Sequence, residues 1–277
     1  MMKVKNHRLY HDNDLQVDYV PSPNRSQQID PKYLIMHYTA GSSFRSSLNW
    51  LTNPISKASA HLLIGRDGEI AQMVPFNIKA WHAGQSSWNN LEGMNSYAIG
   101  IELDNAGKMV PYGNNRWRSW FGKVYDDDEV LEATHKHEDD PAGWQVFTEK
   151  QLEVAVEVAT ILVNHYGLQE VIGHDDVSPF RKVDPGPAFP MQSFSSKVMG
   201  RRDDEVPVFV TTTALNIRVG PGTEYEQVPE ISPLPKNTRV IVINSFLNWK
   251  YVDVIDPIHA THDGRGWVHS RYLREVE

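Results

Sequence analysis

The chain contains no cysteine, so it has neither a disulfide framework nor a thiolate metal site, and its redox compartment is not encoded. It also has no apolar run approaching the length needed to span a membrane. Its N-terminus, MMKVKNHRLYHDNDLQVDYV, carries basic residues but no apolar core, so no signal peptide is legible; the expectation is a chain that is cytoplasmic as synthesised. There is no excess of positive charge either. A formal net charge of −8 argues against nucleic acid as the main partner, because phosphate binding needs basic patches. What is present is length and aromatic content. The 277 residues suffice for two domains or one large one, and eight tryptophans argue against disorder and suit a carbohydrate-facing surface.

The most informative segment is VIGHDDVSPFRKVDPGPAFPM, residues 171–191, where His174, Lys182 and Asp184 sit in a loop stiffened by Pro179, Pro185, Pro187 and Pro190. Upstream, YLIMHYTAG (33–41) reads as a buried strand that ends near His37. His37, His174 and Asp184 form a candidate two-histidine, one-carboxylate set, the ligand count of a catalytic zinc site with an open fourth position. A third segment, YAIGIELDNAG (97–107), alternates as a strand, with Glu102 on the face opposite Ile101 and Leu103. Its apolar flanks would raise the pKa of Glu102, as suits a general base in metal-assisted hydrolysis; a solvent-facing strand glutamate is the bland alternative.

HYTAG, SAHLLIGRDGEIAQMVP, AWHAG, AIGIELDNAG and GHDDVSPFRKVDPGPAF occur in the order and spacing of the amidase-2 family, over roughly residues 30–192. In these motifs the chain resembles the zinc-dependent N-acetylmuramoyl-L-alanine amidases, relatives of peptidoglycan-recognition proteins and phage amidases. The resemblance implies an α/β fold with a mixed central sheet flanked by helices. It implies that His37, His174 and Asp184 hold one Zn2+ per chain, that Glu102 is the general base, and that Lys182 stabilises the oxyanion. Peptidoglycan or muropeptides are the implied partners, and the bond between N-acetylmuramic acid and L-alanine the implied target. Where some members carry a tyrosine before the histidine of the SAH motif, this chain has Ala60, so no tyrosine role transfers. Two alternatives stand beside this reading: a non-catalytic peptidoglycan-binding protein, and a zinc peptidase cutting within the stem peptide.

Other histidines are read separately. His61, Trp81 and His82 fall in motifs that the resemblance places around a substrate groove; substrate contact and structural hydrogen bonding both stay open for them. His135 and His137, in THKHEDD, read as a solvated surface.

Residues 1–30 are expected to be a polar lead-in, 31–196 the amidase domain, 197–206 a linker, and 207–277 a small all-β domain. Arg45–Leu51 is a short helical candidate. Thr148–Tyr166 is the clearest helix, with Thr148 and Gln151 as a capping box and Gly167 as its stop. Asn105–Gly143 reads as a long functional or mobile loop in which Trp117 and Trp120 are candidates for a sugar-stacking wall, with packing of the loop on itself as the alternative. In the last domain, strands are expected around Val208–Val210, Leu215–Arg218, Arg239–Ile243 and Trp249–Val254. ALNIRVGPGTEYEQV and GRGWVHSRYL resemble the bacterial SH3-like family, which implies a small barrel and a wall-targeting role, with a spacer or a protein-docking surface as alternatives.

Overall fold

The computed structural model describes residues 2–199, 208–229, 231–256, 258 and 264–276, and divides into two units, Met1–Gly200 and Arg201–Glu277. The central sheet of the first unit has six strands. In spatial order they are Glu170–Gly173, Tyr33–Tyr38, Ala98–Leu103, Leu62–Ile64, Ile70–Gln72 and Asp18–Tyr19. All pair in parallel except Leu62–Ile64 with Ile70–Gln72, which form a hairpin closed at Gly68 (φ +87°). The mixed sheet follows from the sequence: strands buried on both faces read as continuous apolar runs such as YLIM and AIGI.

The two faces of this sheet do different work. Leu34, Met36, Ile99, Ile101 and Leu103 point to one face and pack on Val154, Ala155, Val158, Ala159 and Leu162 of the helix Glu149–Tyr166. The alternate residues Tyr33, Ile35 and Ala98 point to the other face and pack on Ala83, Met94, Ile172 and Val177. His37 continues the second series two residues after Ile35, and Glu102 continues it from Ala98 and Gly100.

The long helix is capped by Thr148, whose hydroxyl accepts from the Gln151 amide, and it stops at Gly167 (φ +62°). Only half of the expected capping box forms. The Gln151 side chain is wholly buried and donates to the Ile64 and Asp104 carbonyls, pinning the helix to the ends of two strands. The short helix spans Phe44–Leu51 behind a Ser43 cap. The helix Met191–Val198 runs past the expected domain end at 196, and the greater part of the expected linker lies outside the described residues.

Two expectations are overturned. The lead-in 1–30 is built into the domain: Met2–Lys5 and Arg8–His11 form a hairpin, Leu9 and Val17 enter the main core, and Asp18–Tyr19 edges the sheet. The stretch read as a long loop is a five-stranded antiparallel sheet, ordered Val124–Asp126, Arg116–Ser119, Lys108–Pro111, Pro141–Gln145 and Val130–Thr134. In both places the strands are only two to five residues long and rich in charge, too short for a periodicity argument to register. Trp117 belongs to the core of this insertion, with Met109, Tyr125 and Val130, and its indole donates to Asp127. It is therefore a packing residue and not part of a sugar-facing wall.

The second unit is a five-stranded antiparallel sheet, ordered Gly264–His269, Trp249–Val254, Arg239–Phe246, Val208–Thr211 and Leu273–Glu275. Its core gathers Leu215, Ile217, Ile231, Leu234, Val240, Val252 and Val268. The strand expected at Leu215–Arg218 is reduced to isolated bridges, Leu215 to Leu234 and Arg218 to Gln227 and Trp267. Among the described residues no helix is long and apolar enough to cross a membrane.

Candidate active site

His37 and Glu102 are register partners on adjacent parallel strands and share the face opposite the long helix. His174 opens the one-turn helix His174–Val177 at the end of the neighbouring strand, and Asp184 lies beyond it in the proline-punctuated loop. The Asp175 amide donates 2.8 Å to the Asp184 carbonyl, which closes that loop back onto the helix. As a result three buried side chains, far apart in sequence, converge. His37 Nδ1 lies 3.0 Å from His174 Nδ1 and 3.0 Å from Asp184 Oδ2, and His174 Nδ1 lies 2.8 Å from the same Oδ2.

The outer hydrogen bonds assign the ring tautomers. Carbonyl oxygens only accept, so the His174 Nε2–H must donate to the Ala83 carbonyl (3.1 Å), leaving its Nδ1 as a bare lone pair. His82 Nε2–H donates to the Ala98 carbonyl (3.3 Å); its Nδ1 then accepts from the His37 Nε2–H at 3.0 Å. His37 Nδ1 is thereby also a bare lone pair. Burial pulls the His37 ring down to about 4, repulsion from His174 adds to this, and Asp184 opposes it; His82 is held well below its ordinary range by the same kind of burial. Burial works to raise the Asp184 carboxyl; protonated His174 and His37 rings would hold it far below the usual carboxylate range, and with both rings neutral that balancing charge has to come from a cation.

Two neutral lone pairs and a carboxylate oxygen aimed at one point repel one another unless a cation lies between them. The donor set therefore fits a divalent metal with nitrogen and oxygen ligands. The remaining ring N–H groups are spent on a carbonyl and on a second imidazole, as ligating histidines require.

Glu102 completes the picture. Its Oε2 is buried with no hydrogen-bond partner, and burial, reinforced by Asp184 and opposed by Lys182, pushes its pKa up to about 8. Lys182 is half-buried, and its ammonium has no partner among the described residues. Its charge reaches both His37 and Glu102.

The remaining expected residues separate. His61 is wholly buried: its Nε2–H donates to the Ile78 carbonyl and its Nδ1 accepts from the Gly100 amide. Both ring nitrogens are spent on backbone, so it is not a substrate contact. His82 is half-buried and holds His37, while Trp81 is half-buried with its indole on Ser26 Oγ at 2.7 Å. His135, expected at a solvated surface, is buried and bonded to Asp175 Oδ2 at 2.9 Å, and Lys136 bridges Asp175 and Asp176. Charged neighbours here mark a partly buried ion-pair cluster, which composition does not distinguish from a wet face.

Sequence reasoning missed three supporting residues. Gly100 leaves room for the His82 ring, since a Cβ there would come within 2.5 Å of it. Asn95 Oδ1 accepts from the His82 and Ala83 amides, and Arg181 ties the Ala83 and Gln85 carbonyls to the loop that carries Lys182. A lone glycine inside a strand pattern was the one legible signal, for close approach of another group.

The Amidase_2 family, described as N-acetylmuramoyl-L-alanine amidase, matches residues 27–187. A 1,6-anhydro-N-acetylmuramyl-L-alanine amidase, AmpD, of Enterobacter cloacae is 29% identical over 68% of this chain and 93% of its own. The N-acetylmuramoyl-L-alanine amidase AmiD of Escherichia coli is 31% identical over 62% of this chain, which spans only 55% of that protein. A solved complex of the E. coli AmiD with anhydro-N-acetylmuramic acid-L-Ala-D-gamma-Glu-L-Lys aligns over 72% of this chain and 66% of that one, at 28% identity and a TM-score of 0.47. Because the family match spans more than half of its residues, the chain belongs to the N-acetylmuramoyl-L-alanine amidase family and is an enzyme of that kind.

Proposed function

We propose that the chain is a zinc-dependent amidase that hydrolyses the bond between N-acetylmuramic acid and the L-alanine of peptidoglycan stem peptides. The observation that carries this reading is the convergence of two neutral imidazole Nδ1 atoms and one carboxylate oxygen within 3.0 Å of one another, beside a carboxylate oxygen with no partner. His37, His174 and Asp184 would hold the ion. When bound, zinc supplies a Lewis acid that polarises a carbonyl and acidifies water.

The chain's own residues supply the rest. Glu102 accepts a proton from the attacking water and passes it to the departing amine of L-alanine, a role suited to a buried carboxylate whose Oε2 has no other hydrogen-bond partner. The unpaired Lys182 ammonium stands ready for the negative charge that develops on the scissile carbonyl oxygen. His82 keeps the His37 lone pair pointed inward, and Gly100 makes space for it.

The domain reading is an N-terminal amidase unit joined to an SH3-like module. In the C-terminal unit a cavity of about 560 Å³ is lined by Asn216, Arg218, Trp249, His269, Arg271 and Tyr272, the mixture of aromatic and cationic groups expected of a surface that docks wall peptides.

Mass spectrometry of muropeptides digested with and without chelator tests the reaction. Free sugar plus intact stem peptide, abolished by chelator and restored by zinc, is expected. Cut stems would establish a peptidase, and an absence of product from metal-replete protein would establish a recognition protein.

A further inference from the structure

Trp120 is 76% exposed, yet it is not loose. It sits in the tight turn between Arg116–Ser119 and Val124–Asp126, where Gly122 (φ +89°) donates back to the Ser119 carbonyl. Its indole N–H donates 2.7 Å to the Ala40 carbonyl, and its ring meets Phe121 edge-on at 5.7 Å. Ala40 (φ +50°) belongs to the loop that leaves His37, three residues on, so it lies at most about 11 Å from that ligand along the chain. The opposite edge of the same inserted sheet is tied to the segment that carries His174. His135 and Lys136 bind Asp175, which follows His174, and the His137 ring lies tilted against Phe180, 84% exposed, two residues before Lys182. The insertion is thus anchored both to the loop that follows His37 and to the segment that carries His174 and Lys182.

We infer that residues 108–145 form the glycan-side wall of the site, with Trp120 as the platform on which a sugar ring of the substrate stacks. The inference rests on the amidase reading for which bond is cut, but not for the binding itself. A sugar presents an apolar C–H face and a polar rim. An exposed indole whose N–H is already engaged by backbone offers a flat apolar face of fixed orientation, at little entropic cost. Ala40, which holds its N–H, is at most about 11 Å from His37 along the chain, a span within reach of a disaccharide attached to the scissile amide. The tryptophan nearest to it in sequence, Trp117, turns inward and builds the sheet that holds the platform up.

The test uses the full chain with W120A and W120F in two assays. The first is equilibrium binding of a tetrasaccharide of N-acetylglucosamine, which needs no catalysis. The second is steady-state hydrolysis of a disaccharide muropeptide. W120A should weaken tetrasaccharide binding and raise KM roughly tenfold at unchanged kcat, metal content and thermal midpoint, and W120F should retain most of the affinity. Unchanged binding and KM in W120A, or a fall in kcat alone, would overturn the platform. So would a W120A defect confined to association between copies of the chain. If no variant, wild type included, releases product while W120A still loses the tetrasaccharide, the amidase reading fails and the platform survives.

Discussion

The two large sheets of the first unit have opposite character. The six-stranded sheet is buried on both faces, and Leu34, Ile35, Met36, Ile99 and Ile101 have no solvent exposure. The five-stranded insertion is thin and charged, exposing Val110, Tyr112, Trp120 and Leu131 around a small core. The residues proposed for chemistry, His37 and Glu102, stand on the buried sheet, where neighbours dictate rotamer and tautomer. Those proposed for recognition stand on the exposed one. Dense packing gives the positional accuracy that metal binding needs, whereas a rim can vary without disturbing it.

This division can be broken by mutation. The largest effect is expected from H174A, which should lose both bound metal and activity down to background, read by elemental analysis and muropeptide digestion. E102Q should keep metal while turnover falls roughly 10²- to 10⁴-fold. An active E102Q with normal metal content would remove the general base from the buried sheet. H82A, or G100A through displacement of the His82 ring, should weaken metal binding about 10- to 100-fold in a chelator competition. Equal affinity in wild type and H82A would mean that the His37 tautomer needs no outside support.

On the exposed sheet, W117A should remove about 3–5 kcal/mol from packing of the insertion, raising KM while metal content stays intact. Loss of metal in W117A would show that the two sheets are not separable.

The smallest effect is on acid stability. Burial holds the His61 ring down to about 4, with the Ile78 carbonyl partly opposing it. The unfolded chain binds a proton near pH 6.5 that the native state refuses, so this contribution to stability is present above pH 6.5 and is lost as pH falls toward 4. The slope is at most about 1.4 kcal/mol per pH unit from this group. Urea titrations of metal-free wild type and H61Q across that window separate it from the like contributions of His37 and His82, and identical slopes would mean that His61 is solvated.

Much of the site was legible because its chemistry needs unusual residues in unusual places. Imidazole at the end of the apolar run YLIM, carboxylate in AIGIEL, and a lysine and an aspartate among prolines each stand out from packing patterns. The insertion was illegible for the converse reason. Its strands are short, and their alternation, as in RWRS, is carried by charged and aromatic residues that also occur in loops. His135 and Asp175 were missed because their pairing joins residues 40 apart across that unread sheet.

Composition and motif order by themselves determined the family resemblance, the strand–loop setting of His37, Glu102, His174 and Asp184, the long capped helix, and the all-β character of the C-terminal portion. Only the tertiary structure decided that three donor atoms share one point, that His82 and Gly100 set a ring tautomer, and that Trp117 turns in while Trp120 turns out. Periodicity reports which face of an element a side chain occupies. Distance and hydrogen-bond direction between elements arise only once parallel strands and their loops are brought into register.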